Sequence, residues 1–145
     1  MTAVFRWPVR VYYEDTDAGG IVFYANYLKF FERARTEWLR AAGIGQQALA
    51  TGEQRIFVVK STAMDYHAPA KLDDRLEITV TVEKLGRASV NFMQEAWLAD
   101  GEAPRLLCSG SIRVGCVGTT DLKPAAIPDH VASRIRNIMK QSGDA

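Results

Sequence analysis

The sequence predicts an α+β domain in which a curved antiparallel sheet of about five strands wraps around one long helix. Residues 25–42 repeat apolar positions at three- and four-residue steps, which is the period of an amphipathic helix. Segments before and after it alternate apolar and polar residues, as half-buried strands do. With 145 residues, 48% of them hydrophobic, the chain has the size and composition of a single domain spanning residues 1–145.

The N-terminal third of the chain contains the first strand and the long helix. A strand is expected at residues 5–13, and an acidic, glycine-rich turn at 14–20 follows it. The helical period then runs from about Ala25 to Ala42, and Gly43 supplies its stop. The apolar face of this helix is formed by Tyr27, Phe30, Phe31, Ala34, Trp38 and Ala42.

The rest of the chain is mostly strand. After a short helical turn near residues 46–50, strands are expected at 55–66, 75–85, 89–99 and 106–117. Gly86-Arg87 and Asp100-Gly101 mark turns between them, and a short helix at 129–140 closes the chain. One helix cannot cover a whole sheet of this size, so the leftover apolar area predicts that the chain dimerises.

Composition excludes several classes of function. Lys and Arg total 18 against 17 Asp and Glu, and this balance argues against a nucleic-acid partner. No apolar stretch approaches the roughly 20 residues of a membrane span, so no membrane insertion is expected. Cys108 and Cys116 lie about 26 Å apart along one predicted strand, too far to bond, and we expect buried, reduced thiols. The protein is therefore expected to be cytoplasmic.

The residues that indicate chemistry lie where the turn meets the helix. Asp17 is followed by Gly19-Gly20, which permit a sharp turn, and then by the predicted helix start. The first N–H groups of a helix have no partner within the helix and carry partial positive charge. A carboxylate beside such donors can attack a carbonyl or activate water while the donors hold the developing oxyanion.

The stretch 17–27, DAGGIVFYANY, resembles the active-site segment of the 4-hydroxybenzoyl-CoA thioesterase family. The likeness is greatest to the Tol-Pal-associated acyl-CoA thioesterase branch, and matches at 11–17, 31–37, Pro69-Ala70 and Lys123-Pro124 extend it over nearly the whole chain. The resemblance implies a hotdog fold and hydrolysis of an acyl-CoA to a free acid and coenzyme A. It also implies a homodimer or homotetramer with active sites at subunit interfaces, and it requires neither a metal nor a bound cofactor.

The resemblance assigns roles to three residues. Asp17 matches the catalytic carboxylate, acting as nucleophile or general base, and Gly20 belongs to the turn beside it. The backbone amide of Tyr24, at the helix start, would polarise the thioester carbonyl. The Tol-Pal branch usually carries a histidine where Tyr24 stands, and tyrosine there is typical of the hydroxybenzoyl-CoA enzymes. The identity of the acyl group, aromatic or aliphatic, therefore stays open.

Substrate contacts are predicted at two further places. Coenzyme A carries phosphates, and Lys84, Arg87 and Ser89 flank the Gly86 turn at a position comparable to the family's nucleotide contacts. Lys60 and Lys71 are weaker candidates. The acyl group would lie along the helix against apolar and aromatic side chains, namely Val22, Phe23, Tyr27 and Phe31.

The same segments of sequence permit other interpretations. Glu32 or Glu37 could supply a helical catalytic carboxylate, although pairing with nearby arginines explains both. His67 could belong to the site or simply end a strand. The Asp15-Thr16-Asp17 pattern lacks the sequence context of a phosphatase nucleophile or a calcium loop, and the histidines and cysteines lack metal-ligand spacing.

The alternative function is a binding module rather than an enzyme. Such a module would hold an acyl-CoA or an acyl carrier protein at a membrane-associated complex, with a Tol-Pal-linked partner, and would turn over little. Tight binding of a thioester without hydrolysis would distinguish it from a thioesterase.

Overall fold

The computed structural model describes residues 4–99 and 103–141. Eight regular elements follow one another in these residues: β1 (Phe5–Arg10), α1 (Tyr27–Ala41), α2 (Gln46–Ala48), β2 (Arg55–Tyr66), β3 (Arg75–Leu85), β4 (Ser89–Leu98), β5 (Arg105–Gly118) and α3 (Asp129–Gln141). Short 3₁₀ turns lie at Tyr13–Asp15 and Tyr24–Asn26, and a π-helical turn, Leu49–Glu53, extends α2. The Asp100-Gly101 turn predicted from the sequence lies outside the described residues.

The five strands form one antiparallel sheet in the order β1-β3-β4-β5-β2. The register places the apolar residues of neighbouring strands opposite one another, as in the pair Ile78 and Ala96 and the pair Phe92 and Ile112. These residues are buried, and they belong to the core that the sheet shares with the helices. The predicted hotdog fold, a five-stranded sheet around a long helix, is confirmed.

Helix α1 buries the face that its period predicted. Phe30, Phe31 and Ala34 are completely buried, and Trp38 meets Phe92 of β4 edge-on with 5.4 Å between ring centroids. Helix α3 packs Val131 and Ile135 into the same core beyond the C-terminal end of α1. The helix therefore crosses the sheet with its first turn at one end of the subunit, and α3 covers the other end.

The predicted first strand was too long. It was expected to reach residue 13, but β1 ends at Arg10 and residues 13–15 form a 3₁₀ turn. The Asp15 carboxylate accepts a 2.8 Å hydrogen bond from the Tyr12 amide, and this bond turns the chain away from the sheet. Likewise α1 begins at Tyr27 rather than near Ala25, because the 3₁₀ turn Tyr24–Asn26 precedes it.

The two cysteines of β5, Cys108 and Cys116, are buried and free, which confirms the expectation from their spacing.

Strand β2 forms one edge of the sheet, and five consecutive residues in its centre, 59–63, are exposed, with Val59 at 50%. Its pairing with β5 is interrupted between Val59 and Ser61 and regular from there to Tyr66.

Candidate active site

Asp17 lies at the tip of a tight loop that connects β1 to α1. Thr16 and Val22 pair across the base of this loop, and the Asp17 amide donates a 2.9 Å hydrogen bond to the Ile21 carbonyl. The Gly20 amide bonds back to the Asp17 carbonyl at 3.0 Å, and Gly20 has a φ of 81°. A residue with a side chain rarely adopts that φ, so the glycine permits the turn that presents Asp17.

The Asp17 side chain is exposed, and its orientation is defined by one local contact. Its Oδ1 accepts a 2.8 Å hydrogen bond from the Gly19 amide, the arrangement of an Asx turn. Asp17 also lines an open depression with Tyr13, Gly20 and Leu72. A carboxylate held in this way is accessible to a substrate and is fixed in direction before the substrate arrives.

A second aspartate, Asp15, joins the loop to the helix start, and sequence analysis did not assign it that role. It is 5% exposed, and its Oδ1 accepts a 2.9 Å hydrogen bond from Asn26 Nδ2. Its carbonyl accepts a 3.1 Å hydrogen bond from the Phe23 amide. The acidic cluster is visible in the sequence, but nothing in the spacing of Asp15 and Asn26 indicates that they meet.

The helix start supplies unpaired donors. The Asn26 amide bonds to the Phe23 carbonyl at 2.8 Å, whereas the amides of Tyr24 and Ala25 donate to no acceptor within residues 4–99 and 103–141. These two N–H groups precede α1 directly, where the helix dipole favours negative charge. They are suited to hold an oxyanion, which is the role that the resemblance assigned to the Tyr24 amide.

Aromatic side chains surround the helix start. The rings of Phe23 and Tyr24 are 4.8 Å apart, and Tyr66 at the end of β2 meets Tyr24 edge-on at 6.0 Å. Phe23 and Tyr24 are exposed at the helix start. Val22 and Tyr27, also predicted to line the acyl group, are buried in the core. Burial is the main cause that raises the pKa of Tyr27 to about 12.

The predicted nucleotide-binding residues lie far from Asp17 within one chain. The start of β3 adjoins the loop, since Asp74 accepts a hydrogen bond from the Val11 amide and Lys71 pairs with Ile21. Lys84 lies ten residues beyond Asp74, which is about 30 Å at the rise of a strand. Arg87 and Ser89 follow at the same end of the subunit. The structure therefore brings the weaker candidate Lys71 near Asp17 and leaves these three at the opposite end.

The remaining candidates have structural partners. Glu32 accepts a 2.6 Å hydrogen bond from Thr36, and Glu37 forms a 2.6 Å ion pair with Arg40. His67 Nε2 lies 3.0 Å from the Ser109 hydroxyl. Among the described residues, no group of three or more His, Cys, Asp or Glu side chains is arranged to hold a metal ion.

Known proteins resemble this chain over most of its length. The family model described as "Thioesterase superfamily" matches residues 19–104, which is more than half of the chain and includes the helix start. The chain belongs to the thioesterase superfamily. The resemblance identified from the sequence is therefore confirmed.

Individual members of the thioesterase superfamily match along most of their length. "Acyl-CoA thioester hydrolase YbgC" of Escherichia coli is 44% identical over 93% of this chain and 98% of its own. "Acyl-CoA thioesterase YbgC" of Haemophilus influenzae is 43% identical over 92% and 96%. A solved structure described as a probable thioesterase from Bartonella henselae is 30% identical, has a TM-score of 0.79 and covers 87% of this chain and 100% of its own.

Within the described residues, no helix of this thioesterase-superfamily member is long and apolar enough to span a membrane.

Proposed function

We propose that the protein hydrolyses the thioester of an acyl-CoA, with Asp17 as the reacting carboxylate. The observation that carries this proposal is that one short segment presents both an exposed carboxylate, Asp17, and two unpaired amides, those of Tyr24 and Ala25 at the helix start. Membership of the thioesterase superfamily supplies the reaction class, and the relatives named as acyl-CoA thioesterases supply the substrate class.

Two routes are compatible with this arrangement. In the first, an Asp17 oxygen attacks the thioester carbon, the C–S bond breaks, and coenzyme A leaves as a thiolate that takes a proton from solvent; water then hydrolyses the resulting mixed anhydride. In the second, Asp17 takes a proton from water, the hydroxide attacks the same carbon, the C–S bond breaks, and the departing thiolate takes that proton back from Asp17. In both routes the Tyr24 and Ala25 amides would stabilise the tetrahedral oxyanion, and one such donor contributes about 10²–10³ to turnover.

Isotope labelling distinguishes the two routes. A single turnover in ¹⁸O-water followed by mass spectrometry of the peptide that contains Asp17 detects oxygen incorporated into the carboxylate. Label in Asp17 supports the mixed anhydride. An unlabelled Asp17, with label only in the released acid, excludes an anhydride that water opens at the Asp17 carbonyl, and it is the pattern expected of the general-base route.

The proposed site also draws on a second copy of the chain. Strand β2 is an edge strand with an exposed centre, and such an edge can pair with another strand. Val58 and Ser89 both pair with Gly115, so the first half of β2 lies at the Gly86-turn end, while Tyr66 lies beside Tyr24. Antiparallel pairing of two β2 strands would therefore bring the end of one subunit that contains the Gly86 turn next to the end of the other subunit that contains Asp17.

This homodimer gives the predicted nucleotide contacts a role. Lys84, Arg87 and Ser89 of one subunit would face the coenzyme A bound at Asp17 of the partner subunit, which the roughly 30 Å separation forbids within one chain. Light scattering coupled to gel filtration tests the pairing with Ala63→Asp, which places a charge in the exposed centre of β2 on each copy. A homodimer or homotetramer that dissociates in this variant supports the arrangement, and a wild-type monomer contradicts it.

The function itself is tested by a thiol-release assay on the purified wild-type protein. The panel runs from short to long aliphatic acyl-CoAs and includes benzoyl and hydroxybenzoyl esters. Release of coenzyme A from any of them supports the enzyme, and the order of rates gives its acyl preference. A folded protein that releases no thiol from any ester contradicts the proposal and leaves the acyl-CoA or acyl-carrier-protein binding module, for which a Tol-Pal-linked partner would be sought.

A further inference from the structure

A cavity of about 120 Å³ lies between the middle of α1 and the sheet. Its apolar wall is formed by Leu39, Val90, Phe92, Val114 and Ile135, all of them buried. An apolar cavity of about 150 Å³ holds one benzene molecule, so this one has room for a chain of only a few carbon atoms. It is separate from the Asp17 depression, since Arg35 in its wall lies about 16 Å along the helix axis from Tyr24.

Arg35 is the cationic group in the wall of this cavity. Its Nη1 donates a 2.9 Å hydrogen bond to Gln94 Oε1, and Gln94 is completely buried. The Gln94 Nε2 in turn donates to the Phe31 carbonyl at 3.1 Å, which fixes the amide so that its oxygen faces Arg35. The guanidinium is therefore held in a defined position by a neutral group.

Arg35 forms no salt bridge within the described part of the chain. Glu32, one turn earlier on α1, accepts a hydrogen bond from Thr36 and lies at the solvent-exposed mouth of the cavity. Burial lowers the pKa of Arg35, and the charge of Glu32 offsets part of this effect. A desolvated cation is costly unless an anion or several acceptors meet it.

The other donors of Arg35 open onto the cavity. Among the described residues, every fully buried side-chain nitrogen or oxygen has a hydrogen-bond partner. A guanidinium has several N–H donors, and Gln94 accepts from only one of its nitrogens. The remaining nitrogens therefore keep some accessible surface, and Arg35 is one of the residues that line the cavity.

We propose that this cavity receives the far end of a short acyl group that terminates in a carboxylate, with Arg35 as its ion partner. The apolar wall would hold the methylene chain, and the fixed guanidinium would donate a pair of hydrogen bonds to the carboxylate. Val59 of β2 is half exposed and lines the cavity. In the proposed homodimer, a thioester held at Asp17 of the partner subunit would extend into the cavity from this side. This inference rests on the proposed function, because it names the class of acyl group.

A binding experiment tests the cavity without any turnover. Pentanoate and pentan-1-ol, which differ only at the polar end, are titrated into the wild-type protein and followed by backbone amide shifts in nitrogen-15 spectra. Pentanoate is expected to bind at least tenfold more tightly, with shifts centred on Arg35, Leu39 and Phe92. Equal binding of the two probes, shifts elsewhere, or no binding of pentanoate would overturn the inference.

Variants identify the group responsible for the preference. Arg35→Met should abolish the preference for pentanoate. Arg35→Lys should keep part of it, because an ammonium group retains the charge but lacks the two parallel N–H donors of the guanidinium. Arg33→Met is the matched control, since Arg33 is an exposed arginine on the same helix, and it should bind like the wild type. A preference that survives in folded Arg35→Met contradicts the proposal. If that variant does not fold, the wild-type and Arg35→Lys titrations decide.

A kinetic comparison connects the cavity to substrate choice. Glutaryl-CoA and pentanoyl-CoA have acyl chains of equal length, and only the first ends in a carboxylate. The wild type should favour glutaryl-CoA at least tenfold in kcat/KM, and Arg35→Met should remove that advantage while pentanoyl-CoA turnover persists. Turnover without this preference overturns the inference but not the thioesterase. Pentanoate binding that depends on Arg35, in a protein that shows no turnover, supports the inference about the cavity and contradicts the thioesterase.

Discussion

Asn26 donates a 2.9 Å hydrogen bond from its Nδ2 to Oδ1 of Asp15, and both residues are buried. The bond joins the loop that presents Asp17 to the turn that presents the Tyr24 and Ala25 amides. Because the other carboxylate oxygen accepts the Tyr12 amide, a single side chain holds three parts of the site in register. We infer that the distance between carboxylate and oxyanion donors depends on this pair.

Removing the donor should therefore damage both stability and turnover. Asn26→Ala leaves a buried carboxylate without one of its partners, which costs about 1–3 kcal/mol of unfolding free energy. Urea denaturation measures the loss, and Asn137→Ala, at an exposed position on α3, is the control and should change stability by less than about 0.5 kcal/mol. An Asn26→Ala protein with wild-type stability and wild-type kcat would show that the bond does not organise the site.

Gly20 should be sensitive to backbone conformation rather than to size. No heavy atom lies within 4 Å of a Cβ added there, but its φ is 81°. Gly20→Ala should cost roughly 1–2 kcal/mol, and Gly20→Asn less, since asparagine adopts this conformation more readily. Thermal unfolding and thiol release are measured on both variants. If alanine and asparagine behave alike, the left-handed backbone is not the reason for glycine at this position.

Gly110 on β5 should be sensitive to size. A Cβ at this position would lie 2.4 Å from Met64 Sδ and 3.1 Å from a ring carbon of Phe31. Gly110→Ala should therefore overpack the contact between α1 and the sheet, at a cost of about 1–3 kcal/mol. The double variant Gly110→Ala/Met64→Ala relieves the closer clash, so a double-mutant cycle should give a favourable coupling. Strict additivity of the two substitutions would contradict this packing.

Stability should fall in alkaline solution because two buried groups resist ionisation. Burial, with a smaller contribution from Asp65, raises the pKa of Cys108 from 9.0 to about 12, and burial raises that of Tyr27 from 10.0 to about 12. The unfolded chain releases these protons first, so their stabilisation is complete below about pH 9 and is lost between about pH 9 and pH 12.

Urea denaturation over that alkaline range measures the effect. Cys108→Ala should make the decline shallower, because one of the two groups no longer titrates. A free energy of unfolding that stays constant through this range in the wild type would show that neither group is held protonated by the fold.

Much of the fold could be predicted because its elements carry strong periodic signals. The face of α1 formed by Phe30, Phe31 and Trp38 follows directly from three- and four-residue spacing, and the alternation in β3 places Ile78 inside the sheet. The ends of the elements were predicted less accurately. Tyr12 and Tyr13 have the composition of a strand, yet the contact between Asp15 and the Tyr12 amide ends β1 earlier.

The residues of the candidate site that lie close together in the sequence could be proposed from the sequence. The contacts between residues far apart along the chain could not. Asp17, Gly20 and Tyr24 lie within eight residues of one another, so one motif contains all three. Contacts between residues distant along the chain leave no such signal. Arg35 and Gln94 are 59 residues apart, and nothing in either segment indicates that they meet beside a cavity. The separation of Lys84 from Asp17 likewise became visible only through the course of β3.

The most direct test of the account is the turnover of Asp17→Asn with the preferred acyl-CoA. Asparagine keeps an oxygen that can accept the Gly19 hydrogen bond, so the loop should persist while the carboxylate charge is removed. Glu14→Gln, an exposed acid in the same segment, is the matched control. We predict a loss of at least about 10²-fold in kcat for Asp17→Asn with unchanged melting temperature, and no loss for the control. Wild-type turnover by a folded Asp17→Asn protein would contradict the central claim that this carboxylate performs the reaction.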